Sequence, residues 1–321
     1  MEGLAVTTPV EALLSFDYED KRPRIAALYE QGKRLQWNAS TDLDWSQEVE
    51  FGAPLPEDSA FGLAAFEASP LARHGAETWN AFRWEFHAWL ASQFAHGEQG
   101  AVVASARLAE TLPDVEAKYF AASQVGDEAR HVEAFSRYVR EKLPTSYPIA
   151  SPLAAMLEDI LSDARWDVTA LGLQIILEGL AMATLRLAHT AFHDDLVREI
   201  TRLAARDEAR HVAFGILSLR GIYGELTEAE RAERETLALE ASALMRRWFL
   251  LEDIWPRLGV DAAEGIAFAE RNEMMIAYRQ AVFAKAASSL ERIGLMTPRV
   301  RKGLHRLDLT RPATPRRRAA A

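Results

Sequence analysis

The sequence predicts an all-α protein, a helical bundle with additional flanking helices. Three observations carry that reading. Gly and Pro are sparse, at 17 and 13 of 321 residues, while Ala, Leu, Glu and Arg dominate, so helix is favoured throughout. Apolar residues recur at three- and four-residue steps over long stretches, and no sustained period-two alternation marks a strand. One pentapeptide, Asp-Glu-Ala-Arg-His, occurs twice, from Asp127 to His131 and from Asp207 to His211.

Residues 1–56 lack sustained periodicity, apart from a short helical stretch near Arg24–Lys33. Trp37 and Trp45 sit there among Asn, Ser, Thr and Asp. This N-terminal arm is expected to pack across the bundle or onto a second subunit, and Pro54 and Pro56 close it. A helical domain follows over 57–298. Asp58 or Ser59 can cap a first helix that runs to about Ser69, before Pro70. The next helix spans about Glu77 to Thr111, with Trp79, Phe82, Phe86, Trp89, Leu90 and Phe94 in helical register, and Pro113 stops it. Asp114 can cap a helix reaching about Lys142, ahead of Pro144. After a loop from Tyr147 to Pro152, a third long helix is expected over about Leu153–Phe192. A fourth covers about Leu196–Arg220, ended by Gly221 and Gly224. Two more are expected over about Glu228–Trp255 and Asp261–Ile293.

The end of the chain differs in charge. From Arg299 to Ala321, eight Lys/Arg face Asp308 alone. That +7 leaves −17 on the first 298 residues of a −10 chain. The tail 299–321, with Pro312, Pro315 and Arg316-Arg317-Arg318, is expected to be disordered. The acidic body argues against nucleic acid as a partner. No basic segment leads into an apolar run at the N-terminus, and no eighteen residues are uninterruptedly apolar. Neither a signal peptide nor a membrane span is expected, which points to the cytoplasm. With no cysteine, disulfides, thiolate nucleophiles, iron–sulfur clusters and cysteine-bound zinc are excluded. Any metal must rest on carboxylates and imidazoles.

The repeat supplies those groups. Each pentapeptide holds Glu-x-x-His, and each is preceded thirty residues upstream by a lone glutamate, Glu98 and Glu178. On a helix, residues i and i+3 project from one face, so Glu128 and His131 can meet one point, as can Glu208 and His211. Glu178 lies within ALGLQIILEGLAMATL, where almost any rotation of a helix buries it. A buried carboxylate needs a strong partner or stays protonated. Four carboxylates and two imidazoles from two helix pairs form the ligand inventory of two-metal helical bundles. Glu98, Glu128, His131, Glu178, Glu208 and His211 are therefore the candidate metal ligands, within a bundle over 77–221, with the two single glutamates bridging or capping the pair. Asp127 and Asp207 are expected to hold the outer ring nitrogen of the histidine in the opposite half, with Arg130 and Arg210 neutralising them.

At these residues the sequence resembles the ferritin-like di-iron carboxylate superfamily. The doubled Asp-Glu-x-Arg-His is similar to its oxygen-activating branch, which includes ribonucleotide reductase small subunits, bacterial multicomponent monooxygenase hydroxylases and related oxidases. The resemblance covers roughly 77–221. It implies a ferritin-like four-helix bundle carrying two Fe ions, or Mn and Fe. It further implies an O2-activating oxidase or monooxygenase that acts on a small organic substrate and draws electrons from an external reductase or ferredoxin. Alternatives within the same resemblance are a ferroxidase and a Mn/Fe ligand-binding oxidase. The chain departs from each subfamily. Phe135 stands where reductases keep a radical tyrosine, and Met182 where hydroxylases carry a threonine. Ala204 stands where amine N-oxygenases add a histidine, and Leu173 where Mn/Fe oxidases place a cross-linking tyrosine. A substrate pocket is expected on the side of the second half, lined by Phe94, Phe135, Gln174, Met182, Phe214 and Gly215. Helices beyond the bundle suggest a homodimer.

Overall fold

A computed structural model describes residues 3–14, 16–19, 21–55, 67, 69–75, 77–192 and 194–310. The helix expected over about 56–69 falls almost wholly outside the described residues. Among those described there is no strand, and the fold is all-α.

Helix α1 (Pro23–Arg34) opens the order. The arm around it crosses the bundle. Glu116 accepts from the backbone N–H groups of Lys21 and Arg22 at 2.6 and 2.9 Å, and Arg22 donates to the Leu217 carbonyl. Helix α2 (Glu77–Thr111) and helix α3 (Val115–Lys142) are joined by three residues, which turns the chain back on itself. Asp114 caps α3 by accepting from the Ala117 N–H at 3.2 Å.

The third expected helix is broken. It becomes α4 (Ser151–Ser162), α5 (Trp166–Ala170), a π-helical segment over Leu171–Leu177, and α6 (Glu178–Ala191). Asp163 causes the first break. Its side chain accepts from the Arg165 N–H at 2.8 Å, a local bond that competes with the helix. Trp166–His189 is long and apolar enough to cross a membrane, with mean hydropathy 1.7, but 83% of that window is buried inside the protein. Its apolar surface is taken up by the bundle. Helix α7 (Asp195–Leu219) is capped by Asp194 through the Val197 N–H at 2.8 Å. Helices α2, α3, α6 with its π-helical lead, and α7 form the bundle.

Helix α8 (Ile222–Glu225) is short. Helix α9 (Glu228–Trp248) begins with a complete capping box between Thr227 and Glu230. It stops short of the expected Trp255 because Leu251 takes a left-handed φ of 58°. The reversal seats Trp255, fully buried, 5.5 Å from the Phe82 ring, with its Nε1 donating to the Leu250 carbonyl. The last expected helix is also two, α10 (Ala262–Arg271) and α11 (Glu273–Arg292). Asn272 divides them, because its side chain accepts from the Met274 and Met275 N–H groups and starts a new helix. The tail expected to be disordered from residue 299 instead begins with α12 (Pro298–Arg306). Val300 and Leu304 supply it with a buried apolar stripe, and Thr297 caps it. Residues 311–321 lie outside the described residues.

Gly265 on α10 faces the Trp255 ring. A Cβ there would lie 2.2 Å from two ring carbons. Trp255 cannot retreat, being stacked on Phe82 and hydrogen-bonded at its nitrogen. Gly265→Ala is expected to destabilise the chain by about 1–3 kcal/mol through overpacking. Urea melts of the two proteins measure this, and an unchanged midpoint would refute it.

Candidate metal centre

Six side chains from four helical elements converge in the bundle interior. Glu98 comes from α2, Glu128 and His131 from α3, Glu178 from the first turn of α6, and Glu208 and His211 from α7. None is more than 5% exposed. Potential ligand atoms of Glu98, Glu128, His131 and Glu208 lie within 4.8 Å of one another, and so do those of Glu128, Glu178 and His211.

The two histidines point their Nδ1 atoms inward. His131 Nδ1 is 3.3 Å from both Glu98 and Glu128 and 3.5 Å from Glu208. His211 Nδ1 is 3.1 Å from Glu128 and 3.7 Å from Glu208. Glu128 presents Oε2 to His131 and Oε1 to His211, and Glu208 presents Oε1 to His131 and Oε2 to His211. The glutamates of the two Glu-x-x-His pairs therefore span the centre, one oxygen to each end. Glu98 and Glu178 sit at opposite ends. Of the two roles expected for the single glutamates, bridging or capping, this placement of each beside one histidine suits capping. Helix spacing tells which side chains share a face but not how far each reaches across the bundle.

The outer nitrogens of the two imidazoles cross between halves. His131 Nε2 faces Asp207 Oδ2 at 3.3 Å, and His211 Nε2 faces Asp127 Oδ2 at 3.2 Å. Arg210 donates to Asp207 at 2.8 Å and to Asp127 at 2.9 Å, so one guanidinium ties both halves together. Arg130 pairs with Asp127. These bonds fix ring orientation and leave Nδ1 directed at the centre.

Two residues that sequence reasoning passed over complete the shell. Gln124 donates to Glu178 at 2.6 Å and to Glu128 at 3.0 Å. It lies one turn before Glu128 on the same face, so its spacing carried the signal. Trp37, from the arm, donates its Nε1 to Asp207 at 2.7 Å. It stands 170 residues away in sequence, and no spacing marks it.

Electrostatics at the centre are severe. Burial, then the neighbouring carboxylates Glu208 and Glu128, raise Glu98 and Glu178 well above the usual carboxylate range. Burial also opposes charge on Glu128, but His211 and His131 outweigh it and hold Glu128 well below that range. Burial disfavours charged imidazole at His131 and His211. Glu98 overrides that at His131, and Glu128 at His211, so both rise well above the ordinary histidine value. Asp207 is depressed despite burial, by His131 and Arg210. Four buried atoms at the centre lack a hydrogen-bond partner: Glu128 Oε2, Glu178 Oε2, Glu208 Oε2 and His211 Nδ1. Buried atoms left without a hydrogen bond and gathered at one place fit divalent cations, which would satisfy their lone pairs.

The cavity beside the centre is lined differently from the expected pocket. About 50 Å³ in volume, it is bounded by Glu98, Glu178 and Glu208 together with Phe94, Leu177, Ala181, Thr184 and Trp248. Of the six residues expected to line a pocket, Phe94 alone borders it. Phe135 is fully buried with its ring 5.0 Å from that of Phe94. Phe214 stacks on Phe120 at 4.3 Å. Gln174 donates to Gln124 at 3.2 Å and fills the space over Gly215, where a Cβ would meet the Gln174 Cβ at 2.6 Å. Met182 is buried away from the cavity. The cavity lies toward α9, a helix whose placement no periodicity announces.

No family model and no curated relative matches the chain. Solved structures do match it. A glycine-to-phenylalanine mutant of R2-like ligand-binding oxidase, with anaerobically reconstituted Mn/Fe cofactor, superposes with a TM-score of 0.55 at 18% identity. That match covers 88% of this chain and 97% of the other. A valine-to-leucine mutant of R2-like ligand-binding oxidase, likewise reconstituted, gives 0.54 at 18% identity over 87% and 96%. A valine-to-isoleucine mutant with aerobically reconstituted cofactor gives 0.52 at 19% identity over 87% and 96%. The chain thus has the ferritin-like, all-α fold of these oxidases.

Proposed function

We propose that the chain is an oxidoreductase with a dinuclear metal centre, an O2-dependent oxidase or monooxygenase acting on a small organic substrate. The observation that carries this reading is the convergence of four buried carboxylates and two buried imidazoles with orphaned inward-facing atoms. Glu98 and His131 would hold one ion, Glu178 and His211 the other, and Glu128 and Glu208 would serve both. When bound, two such ions supply the electrons that reduce O2 and the oxidising equivalents that act on the substrate. The chain's own residues do the rest. The crossed aspartates keep each imidazole aimed inward, and Arg210 balances them. Gln124 holds Glu128 and Glu178 in position. Leu177, Ala181, Phe94 and Trp248 give an apolar lining to the cavity that borders three of the carboxylates.

Two iron ions fit this oxygen- and nitrogen-rich set. A Mn/Fe pair is the second reading, favoured by the cofactor stated for the structural neighbours. Iron uptake alone, as in a ferroxidase, would not call for an apolar cavity beside the carboxylates. Without cysteine, and so without a cluster of its own, the chain draws electrons from a separate donor or from the substrate. Metal analysis, followed by anaerobic reduction and an O2 pulse with optical detection, tests the reading. A protein purified from metal-supplemented cells with no transition metal would defeat it.

Linkage gives a further test. Glu98, Glu178, His131 and His211 are all raised in the folded state. A raised group stabilises the fold below its unfolded value and loses that contribution as pH climbs through the folded value. Metal-stripped protein is therefore expected to lose stability as pH rises, from above 4.5 for the two glutamates and from above 6.5 for the two histidines. Glu128, Asp127 and Asp207 are depressed, and the stability they contribute is lost only as pH falls below the usual carboxylate range, so they do not oppose this trend. Metal binding displaces those protons, so affinity should rise over the same range. Melts of stripped and loaded protein should diverge with pH. Parallel curves would count against the assignment.

A further inference from the structure

A second pocket lies between α1, α6 and α7, lined by none of the six candidate metal ligands though Arg210 borders both. Its volume is about 610 Å³, within the range of small-molecule sites. Arg202, Arg206 and Arg210 stack along α7 at four-residue steps, and Arg186 and His189 face them from α6. No carboxylate lines the pocket. Like charges one helical turn apart repel. Four arginines and a histidine gathered at one mouth are unusual in a chain of net charge −10.

Nearby acids account for part of this charge. Arg202 pairs with Glu199, and Arg210 with Asp127 and Asp207, none of which lines the pocket. Arg206 reaches Asp207 through Nε at 3.4 Å and donates to the Leu35 carbonyl at 2.6 Å. Arg186 has no ion pair among the described residues and is exposed. His189 commits Nδ1 to the Arg198 carbonyl at 2.9 Å. Arg210 is only 4% exposed, and its Nε has no partner. Between these cations the floor is apolar, made by Leu28 and Leu35 from the arm and by Ala205, Ala209 and Ala213 from α7.

We infer that this pocket binds a small amphipathic oxyanion, a phosphate- or carboxylate-headed molecule whose short apolar body lies on the alanine and leucine floor. Planar guanidinium groups recognise such heads through paired N–H donors, and the floor removes the body from water. Nothing in this reading requires the metal.

Calorimetric titration of the full chain tests it, with octyl phosphate, octanoate, inorganic phosphate and octanol as probes. Octyl phosphate is expected to saturate at one per chain, more tightly than inorganic phosphate. Octanoate compared with octyl phosphate tells which head the site prefers, and saturable binding of either supports the proposal. Arg186→Glu should weaken the preferred anion at least about tenfold, the loss expected for one charge-assisted contact. Arg202→Gln gives a second, milder variant whose fold circular dichroism can verify. Octanol binding as well as the anions, inorganic phosphate binding as tightly as octyl phosphate, or affinity unchanged in both folded variants would each overturn it.

Discussion

Replacing Glu128 by glutamine is expected to empty both halves of the proposed dinuclear centre at once. Its two oxygens face different histidines, at 3.3 Å from His131 and 3.1 Å from His211. An amide offers one weaker acceptor and turns two N–H donors toward a space filled with imidazole. Loss of an outer hydrogen-bond partner already lowers metal affinity about 10–100-fold, so loss of a spanning carboxylate should exceed a hundredfold. Glu98→Gln is the control, because Glu98 approaches His131 alone and its loss should strip one end. Metal content after desalting distinguishes the cases. Two ions retained per chain in the Glu128 variant would contradict the proposed sharing.

Asp207→Ala should produce the largest loss of stability. Asp207 accepts from Trp37 and Arg210, meets Arg206 and faces His131. Without it, the buried Arg210 guanidinium keeps only Asp127. Breaking a buried ion pair by removing one partner costs about 3–5 kcal/mol. Asp207→Asn preserves the shape and should cost less. Urea unfolding of metal-free protein separates this effect from metal loss, and a cost below about 1 kcal/mol, the value of an exposed pair, would refute it.

The sequence revealed the bundle's longest parts well. Glu77–Thr111 and Val115–Lys142 emerged because proline and a capping aspartate punctuate them. Two of the helix boundaries it missed were set by side chains that bond nearby backbone, at Asp163 and Asn272, and a third by the left-handed turn at Leu251. The largely apolar run Leu171–Leu177 hides its π turn completely. The six converging residues were legible because a doubled motif and equal spacings are visible in one dimension. The cavity was not, since it depends on which way each helix is rotated and on what α9 lays over it. Trp37 was invisible for a related reason: its hydrogen bond joins the arm to α7 across most of the chain.

The seven residues Leu171–Leu177 wind more loosely than an α-helix just before Glu178, while the stretch before Glu98 is regular α-helix. The duplication of letters is thus served by unlike backbones. The two ends of the centre are not interchangeable, and a probe sensitive to local symmetry should resolve two distinct signals even when the same element occupies both.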